Sequence, residues 1–223
     1  MDTARHGESE NARRDAQARV DVLIPVIKSF STDQAVEIAS LGIQVHGGMG
    51  YVEETGAAQL LRDARIAPIY EGTNGIQALD LAGRKLTRDG GEAMTALIDE
   101  VNATAEKLKD HPRFAQLGEA LAAGGDDLRA AMAVVLGQGQ EIGQDAVQAY
   151  ATPFLSLAGH VLCAWQMGEA ALKAQAAIDE GSNDPFYTQK LVSADFVIKQ
   201  WLPEGRAQRA VIDAGMQCLS DFF

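Results

Sequence analysis

The sequence predicts an all-α fold, an antiparallel helical bundle with additional helices toward its carboxyl-terminal end. Three observations predict it. Apolar residues recur at i, i+3, i+4 and i+7 along much of the chain, the repeat of one helical face. Ala is abundant while aromatic residues make up only 6%, a balance that favours helix over sheet. No segment shows the polar–apolar alternation of a convincing strand.

The first helix is expected over residues 10–29, with Val20, Leu23, Ile24 and Ile27 on one face and Pro25 kinking or breaking it. Ser31 or Thr32 then caps a second helix reaching Val45, whose narrow face of Ala35, Ile38, Ala39 and Gly42 suggests close approach of another backbone. The run His46, Gly47, Gly48, Met49, Gly50 is too rich in glycine to continue it. Thr55 can cap a third helix over residues 56–65, which Pro68 ends. After a turn at residues 70–75, Thr73 or Asn74 caps a fourth helix with Ile76, Leu79, Gly83 and Leu86 on one face.

A loop at residues 88–91 separates this part, residues 1–88, from a helical extension, residues 89–223. Residues 92–109 place Met94, Leu97, Ile98, Val101, Ala105 and Leu108 on one stripe. Pro112 is expected to open a short helix that stops at Gly124 and Gly125, and Asp126 or Asp127 to cap a long one carrying Leu128, Met132, Val135 and Leu136. Pro153, at a first-turn position, opens another that ends near Gly181. Asp184 and Pro185 start the next, and Pro203 interrupts it. The total is eight to ten helices.

Composition narrows the function. With 223 residues, 47% hydrophobic and 22% charged, the chain can bury a sizeable core and is not of disordered type. Its formal net charge of -12 makes nucleic acid and anionic lipid poor partners. Residues 1–21 mix Arg with Asp and Glu, unlike a signal or transit peptide. The most apolar window, residues 154–172, contains His160, Gln166 and Glu169 and reads as a buried helix, not a membrane span. The two cysteines, Cys163 and Cys218, have no metal-ligand spacing and no disulfide framework, which fits a reducing, cytoplasmic setting. Cys163 reads as a buried small hydrophobe. His6, His111 and His160 are too far apart in sequence to argue a metal site, and Ser156 and Ser193 lack a nucleophile elbow. The acidic pairs Glu53–Glu54 and Asp126–Asp127 read as solvated helix starts.

Two junctions can carry chemistry. Around Glu71, Pro68 stops one helix, Gly72 permits a tight turn and Thr73 begins another. Glu71 is then either a solvated carboxylate at a helix N-terminus or a rigidly held general base, whose pKa apolar surroundings would raise. At residues 44–50 the glycines either end a helix or let a phosphate or a second backbone come close. His46 is a structural histidine or a catalytic one. The stretch is neither a Walker loop nor a Rossmann fingerprint.

Taken together, Gln44-Val45-His46-Gly47-Gly48-Met49-Gly50-Tyr51, Leu61-Arg62-Asp63-Ala64-Arg65-Ile66 and Ile69-Tyr70-Glu71-Gly72-Thr73-Asn74-Gly75 strongly resemble the signature of the acyl-CoA dehydrogenase family. The resemblance implies that residues 1–88 are part of that family's carboxyl-terminal helical domain, and that the rest matches the extra helices of its long bacterial members. It implies FAD as cofactor, an acyl-CoA substrate oxidised to the 2,3-enoyl-CoA, an electron-transfer flavoprotein as electron acceptor, and a homo-oligomer. Glu71 would be the base that removes the α-proton, and its backbone N–H would donate to the thioester carbonyl. Gln44 and the backbone of Val45, His46, Gly47 and Gly48 would contact the FAD of a neighbouring subunit. Thr73 would contact FAD, and Gly72 would lie near the thioester. Gly75 stands where many members have a flavin-contacting Gln, although some longer members also read Thr-Asn-Gly. Arg62, Asp63 and Arg65 look like packing and ion-pair residues. No metal ligand is implied.

The amino-terminal helical domain and the middle β domain of a complete enzyme have no counterpart in these residues, so the chain alone is expected to bind FAD weakly or not at all and to be inactive. The competing expectation is a non-catalytic helical oligomerisation or scaffold module in which Glu71 is incidental.

Overall fold

The computed structural model describes residues 1–141 and 143–215; Cys218 lies outside them. No strand forms among the described residues, as the sequence predicts. In order, the elements are α1 (Asp2–His6), α2 (Glu10–His46), α3 (Gly48–Tyr51), a 3-10 turn (Glu53–Thr55), α4 (Ala57–Arg65), α5 (Asn74–Leu79), a π-helical segment (Asp80–Lys85) and α6 (Leu86–Arg88). There follow α7 (Glu92–Lys109), α8 (Ala115–Glu141), α9 (Gln144–Asp179), α10 (Pro185–Phe196), a second π segment (Val197–Trp201) and α11 (Leu202–Asp213).

The core forms where α7, α8, α9 and α11 pack on one another. Leu97, Ile98, Val101, Leu108, Leu121, Leu128, Phe154, Leu157 and Val161 are shut off from solvent there. The stripe expected on α7 is the one it buries, and its bounds are those the sequence predicts. The same apolar cluster continues through Val22 and Val26 of α2 and Ala78, Leu81, Ala82 and Leu86, so the expected boundary at residues 88–91 does not interrupt it.

Polar contacts tie the two parts as well. Arg19 on α2 pairs with Glu100 on α7 through both carboxylate oxygens and lies over the Trp165 ring of α9. The Trp165 Nε1–H donates to Thr104 Oγ1 at 2.9 Å, next to Glu169. Asp21 accepts from Arg88 at 2.6 Å and from Gln17 at 2.7 Å, with Lys85 Nζ 3.7 Å away.

Several expectations are corrected. The two helices expected over residues 10–45 are one: α2 runs unbroken past Pro25 and Ser31. Thr32 does not cap; its hydroxyl donates back to the Lys28 carbonyl at 2.8 Å, which keeps it inside the helix. The inward face of α2 is Val22, Pro25, Val26 and Ser29, because this row meets α9, while Ile24 and Ile27 face outward. On the narrow face, a Cβ at Gly42 would meet nothing within 4 Å.

Thr55 sits in the 3-10 turn and donates to the Met49 carbonyl at 2.7 Å instead of capping α4. In the fourth helix Ala78, Leu81, Ala82 and Leu86 point inward while Ile76 and Leu79 are exposed.

Gly124 and Gly125 do not stop a helix either: α8 passes through both. A Cβ at Gly125 would stand 2.5 Å from Asn102 Oδ1, and one at Gly124 would stand 3.1 Å from Leu202 Cδ1. These glycines let helices approach, which offsets their poor intrinsic helix propensity. Asp127 is therefore interior to α8 and pairs with Arg206 instead of capping. The chain around Pro112 is a turn, α8 opening only at Ala115. Pro153 lies inside α9, which opens at Gln144.

Asp184 caps α10 as expected, accepting from the Phe186 N–H at 2.9 Å, and Pro185 is its first residue. The interruption expected at Pro203 is the second π segment just before it. Cys163 is only half-buried, and burial pushes its thiol pKa up. His160 is buried, its Nδ1 2.8 Å from the Ser156 carbonyl and its ring edge-on to Phe30. No helix among the described residues is long and apolar enough to cross a membrane.

Candidate functional site

The first junction is the eight-residue segment 66–73 between α4 and α5, with a seven-residue loop closed over residues 68–74. Pro68 cannot donate a hydrogen bond, but its carbonyl accepts from the Asn74 N–H at 3.0 Å, which closes the turn. On its near side the Ile69 and Tyr70 N–H groups donate to the Ile66 carbonyl at 2.9 and 3.1 Å.

Two consecutive residues are left-handed: Glu71 with φ 53° and Gly72 with φ 85°. Glu71 is the one non-glycine residue with positive φ among the described residues, a conformation uncommon for a residue with a side chain. A Cβ on Gly72 would meet only the movable end of Gln77, at 2.7 Å, so it is the positive φ that reserves this position for glycine. Thr73 caps α5, its hydroxyl accepting from the Ile76 N–H at 3.4 Å. The Glu71 carboxylate is exposed, and Ile66, Ile69 and Tyr70 beside it are half exposed. The Glu71 N–H makes no hydrogen bond among the described residues.

The second junction ends α2. His46 Nδ1 stands 2.8 Å from the Gly42 carbonyl, so the ring is tied to its own helix. Gly47, at φ 62° and ψ −144°, occupies a region open essentially only to glycine. Nothing lies within 4 Å of where side chains at Gly47 or Gly48 would begin. Gln44, Val45 and His46 are exposed, Val45 at 85% and nearby Tyr51 at 81%. Arg62 forks onto both carboxylate oxygens of Glu53 at 2.9 and 2.7 Å, bracing α4 against the 3-10 turn.

The two junctions do not line one cleft. Thr73 and Gly75 line an open cleft of about 780 Å³ with Asp33, Glu37, Leu41 and Arg65. On α2 that lining reaches Leu41, about one helical turn short of Gln44, and does not include residues 44–48. Glu71 sits at the rim, outside that lining.

Sequence reasoning missed what secures the turn. Asn74 reads as a possible cap, yet its side chain crosses to α2. Its Nδ2 lies 2.7 Å from Asp33 Oδ1, 3.1 Å from the Ser29 carbonyl and 3.0 Å from Thr32 Oγ1. Its Oδ1 accepts from Lys28 Nζ at 2.7 Å. The available signal was the polar run Lys28-Ser29-Phe30-Ser31-Thr32-Asp33 inside an otherwise amphipathic helix.

Residues 7–86 match the family model described as acyl-CoA dehydrogenase, C-terminal domain, and residues 97–222 match acetyl-CoA dehydrogenase C-terminal like. With these matches and the all-helical fold, the chain belongs to the acyl-CoA dehydrogenase family. Among relatives, 3-methylmercaptopropionyl-CoA dehydrogenase of Ruegeria pomeroyi is 42% identical over 99% of this chain and 37% of its own length. A butyryl-CoA dehydrogenase of Syntrophomonas wolfei is 30% identical over 92% of this chain and 34% of its own. A broad-specificity linear acyl-CoA dehydrogenase of Mycobacterium tuberculosis is 29% identical over 86% and 33%. The chain thus spans about a third of the length of these relatives.

Proposed function

We propose that this chain is the carboxyl-terminal portion of an FAD-dependent acyl-CoA dehydrogenase, with Glu71 as the base for the α-proton of an acyl-CoA thioester. The observation that carries this reading is the Glu71 turn, left-handed at the carboxylate-bearing residue, with an uncommitted N–H and a half-exposed apolar rim. A thioester α-proton is weakly acidic, so removing it requires stabilising the charge that develops on the carbonyl oxygen. The Glu71 N–H donates to that oxygen while the Glu71 carboxylate takes the proton. Both groups belong to one residue, so its backbone angles set their mutual direction. Ile69 and Tyr70 then help exclude water from the reacting atoms.

FAD, when bound, supplies the acceptor for the hydride that leaves the β-carbon. Gly47 and Gly48 leave the backbone open to close approach, and Thr73 and Gly75 line a cleft that also holds the Arg65 cation and the Asp33 and Glu37 carboxylates; in this reading these residues would hold FAD. Gln44, Val45 and His46 are exposed at the carboxyl end of α2, and in this reading they contact the FAD of a second subunit. In the same reading Gly72 lies by the thioester, an electron-transfer flavoprotein takes the electrons, and residues 1–88 and 89–223 are the helical domain and its extension.

The test joins this chain to the upstream part of the Ruegeria relative and assays acyl-CoA oxidation. Glu71→Gln is expected to abolish turnover with flavin still bound; a fully active variant would sink the assignment and favour the scaffold reading. The chain alone is expected to be inactive and nearly free of flavin, and full flavin absorbance in the purified chain would refute that part.

A further inference from the structure

We infer that Asn74 is the positioning residue of the Glu71 turn, locking it to α2 through a donor–acceptor pattern that only an amide of this length satisfies; the inference rests on the reading of Glu71 as the base. Asn74 holds the turn twice. Its backbone N–H closes the seven-residue loop onto the Pro68 carbonyl at 3.0 Å. Its side chain fastens that closed loop to α2, forty-odd residues earlier in the chain.

The orientation of the amide is dictated by its neighbours. Nδ2 has two hydrogens and faces two acceptor-only groups, the Asp33 carboxylate at 2.7 Å and the Ser29 carbonyl at 3.1 Å. Oδ1 faces the donor-only ammonium of Lys28 at 2.7 Å. The Thr32 hydroxyl lies within reach of both amide atoms and donates to the Lys28 carbonyl. Asp at this position would set two carboxylates against each other, and Ala would leave Lys28, Asp33 and the buried Ser29 turn without their shared partner. Left-handed backbone at a residue with a side chain persists only where surrounding contacts over-determine it. Here those contacts are the Pro68–Asn74 closure, the left-handed Gly72 beside Glu71, and this anchor.

The test uses the full chain and needs no cofactor. Backbone carbon shifts of Glu71 report its left-handed φ, and amide exchange at Ile69, Tyr70 and residue 74 reports the turn, with α7 as control. Asn74→Ala is expected to raise exchange at those three amides by about tenfold, the loss of one or two hydrogen bonds, and to move the Glu71 shifts away from left-handed values while α7 is unchanged. Asn74→Asp should do the same, since a carboxylate has no hydrogen to donate to Asp33 or to the Ser29 carbonyl. Unchanged Glu71 shifts or equal loosening of α7 would each overturn the inference. In the flavin-loaded fusion described above, Asn74→Ala should lower kcat by about tenfold or more with KM unchanged, since small misplacements of a catalytic group are costly. A loosened turn with undiminished kcat overturns the positioning role. A fully active Glu71→Gln instead removes the assignment of the base itself, and the two failures are thereby distinguishable.

Discussion

The second half of α2 and the whole of α9 are helices of one chain with opposite surroundings. From Ser31 to His46 α2 buries no residue, and Ile38, Leu41 and Val45 are exposed along it. α9 is packed on several sides, with Phe154, Leu157, Ala158, Val161 and Ala164 fully enclosed. Its apolar residues are spent on stability within this chain, whereas those of α2 border the two glycine-bearing junctions. The part that carries the candidate chemistry is thus the part with the thinnest core of its own.

That contrast can be broken by substitution, and the largest effect belongs to the bundle. Phe154→Ala should cost about 3–5 kcal/mol, while Leu41→Ala should change stability by no more than about 0.5 kcal/mol; denaturant melts of the two variants separate them. Equal losses would mean that the exposed face is covered.

Glycines give a sharper version because the sign changes. A Cβ at Gly118 would stand 2.6 Å from the Ala105 carbonyl oxygen and from the Lys109 nitrogen, both backbone atoms that cannot swing away. Gly118→Ala should therefore cost about 1–3 kcal/mol. Gly42 has nothing within 4 Å, so Gly42→Ala in α2 should stabilise by up to about 1 kcal/mol. Thermal melts read both.

The smallest effect concerns the seam between the regions. Burial pushes the Asp21 carboxyl up, but hydrogen bonds from Arg88 and Gln17 and the charges of Lys85 and Arg88 outweigh it and hold the pKa below the usual carboxylate range. A carboxylate with depressed folded pKa contributes stability above its unfolded value of about 3.9 and loses it as pH falls through the folded one. Asp21→Asn should therefore destabilise at neutral pH and flatten the decline in stability below about pH 4, read from denaturation at several pH values.

How much of this was legible in the sequence follows the same division between local and distant causes. Residues 92–109 were readable to the residue because an amphipathic stripe and its flanks are local signals. So were the caps at Thr73 and Asp184, where a side-chain oxygen meets an N–H two or three residues on. Gly124 and Gly125 misled, since locally they look like a stop and only Leu202 and Asn102, far along the chain, explain them. Pro25 and Thr32 misled because packing on α9 and a back-bond to Lys28 override their breaking tendency. At the candidate site the residue types and order were legible. The left-handed φ of Glu71 and the reach of Asn74 to α2 were not, because each depends on a partner remote in sequence.

The unbroken course of α2 has a consequence for how such a chain can change over time. Residues 33 and 44 stand on one rigid rod, so their spacing and relative angle are counted in helical turns. Deleting a single residue between them would draw the ends together by about 1.5 Å and twist one against the other by about 100°. Insertions and deletions in this stretch are thereby expected only in multiples close to whole turns.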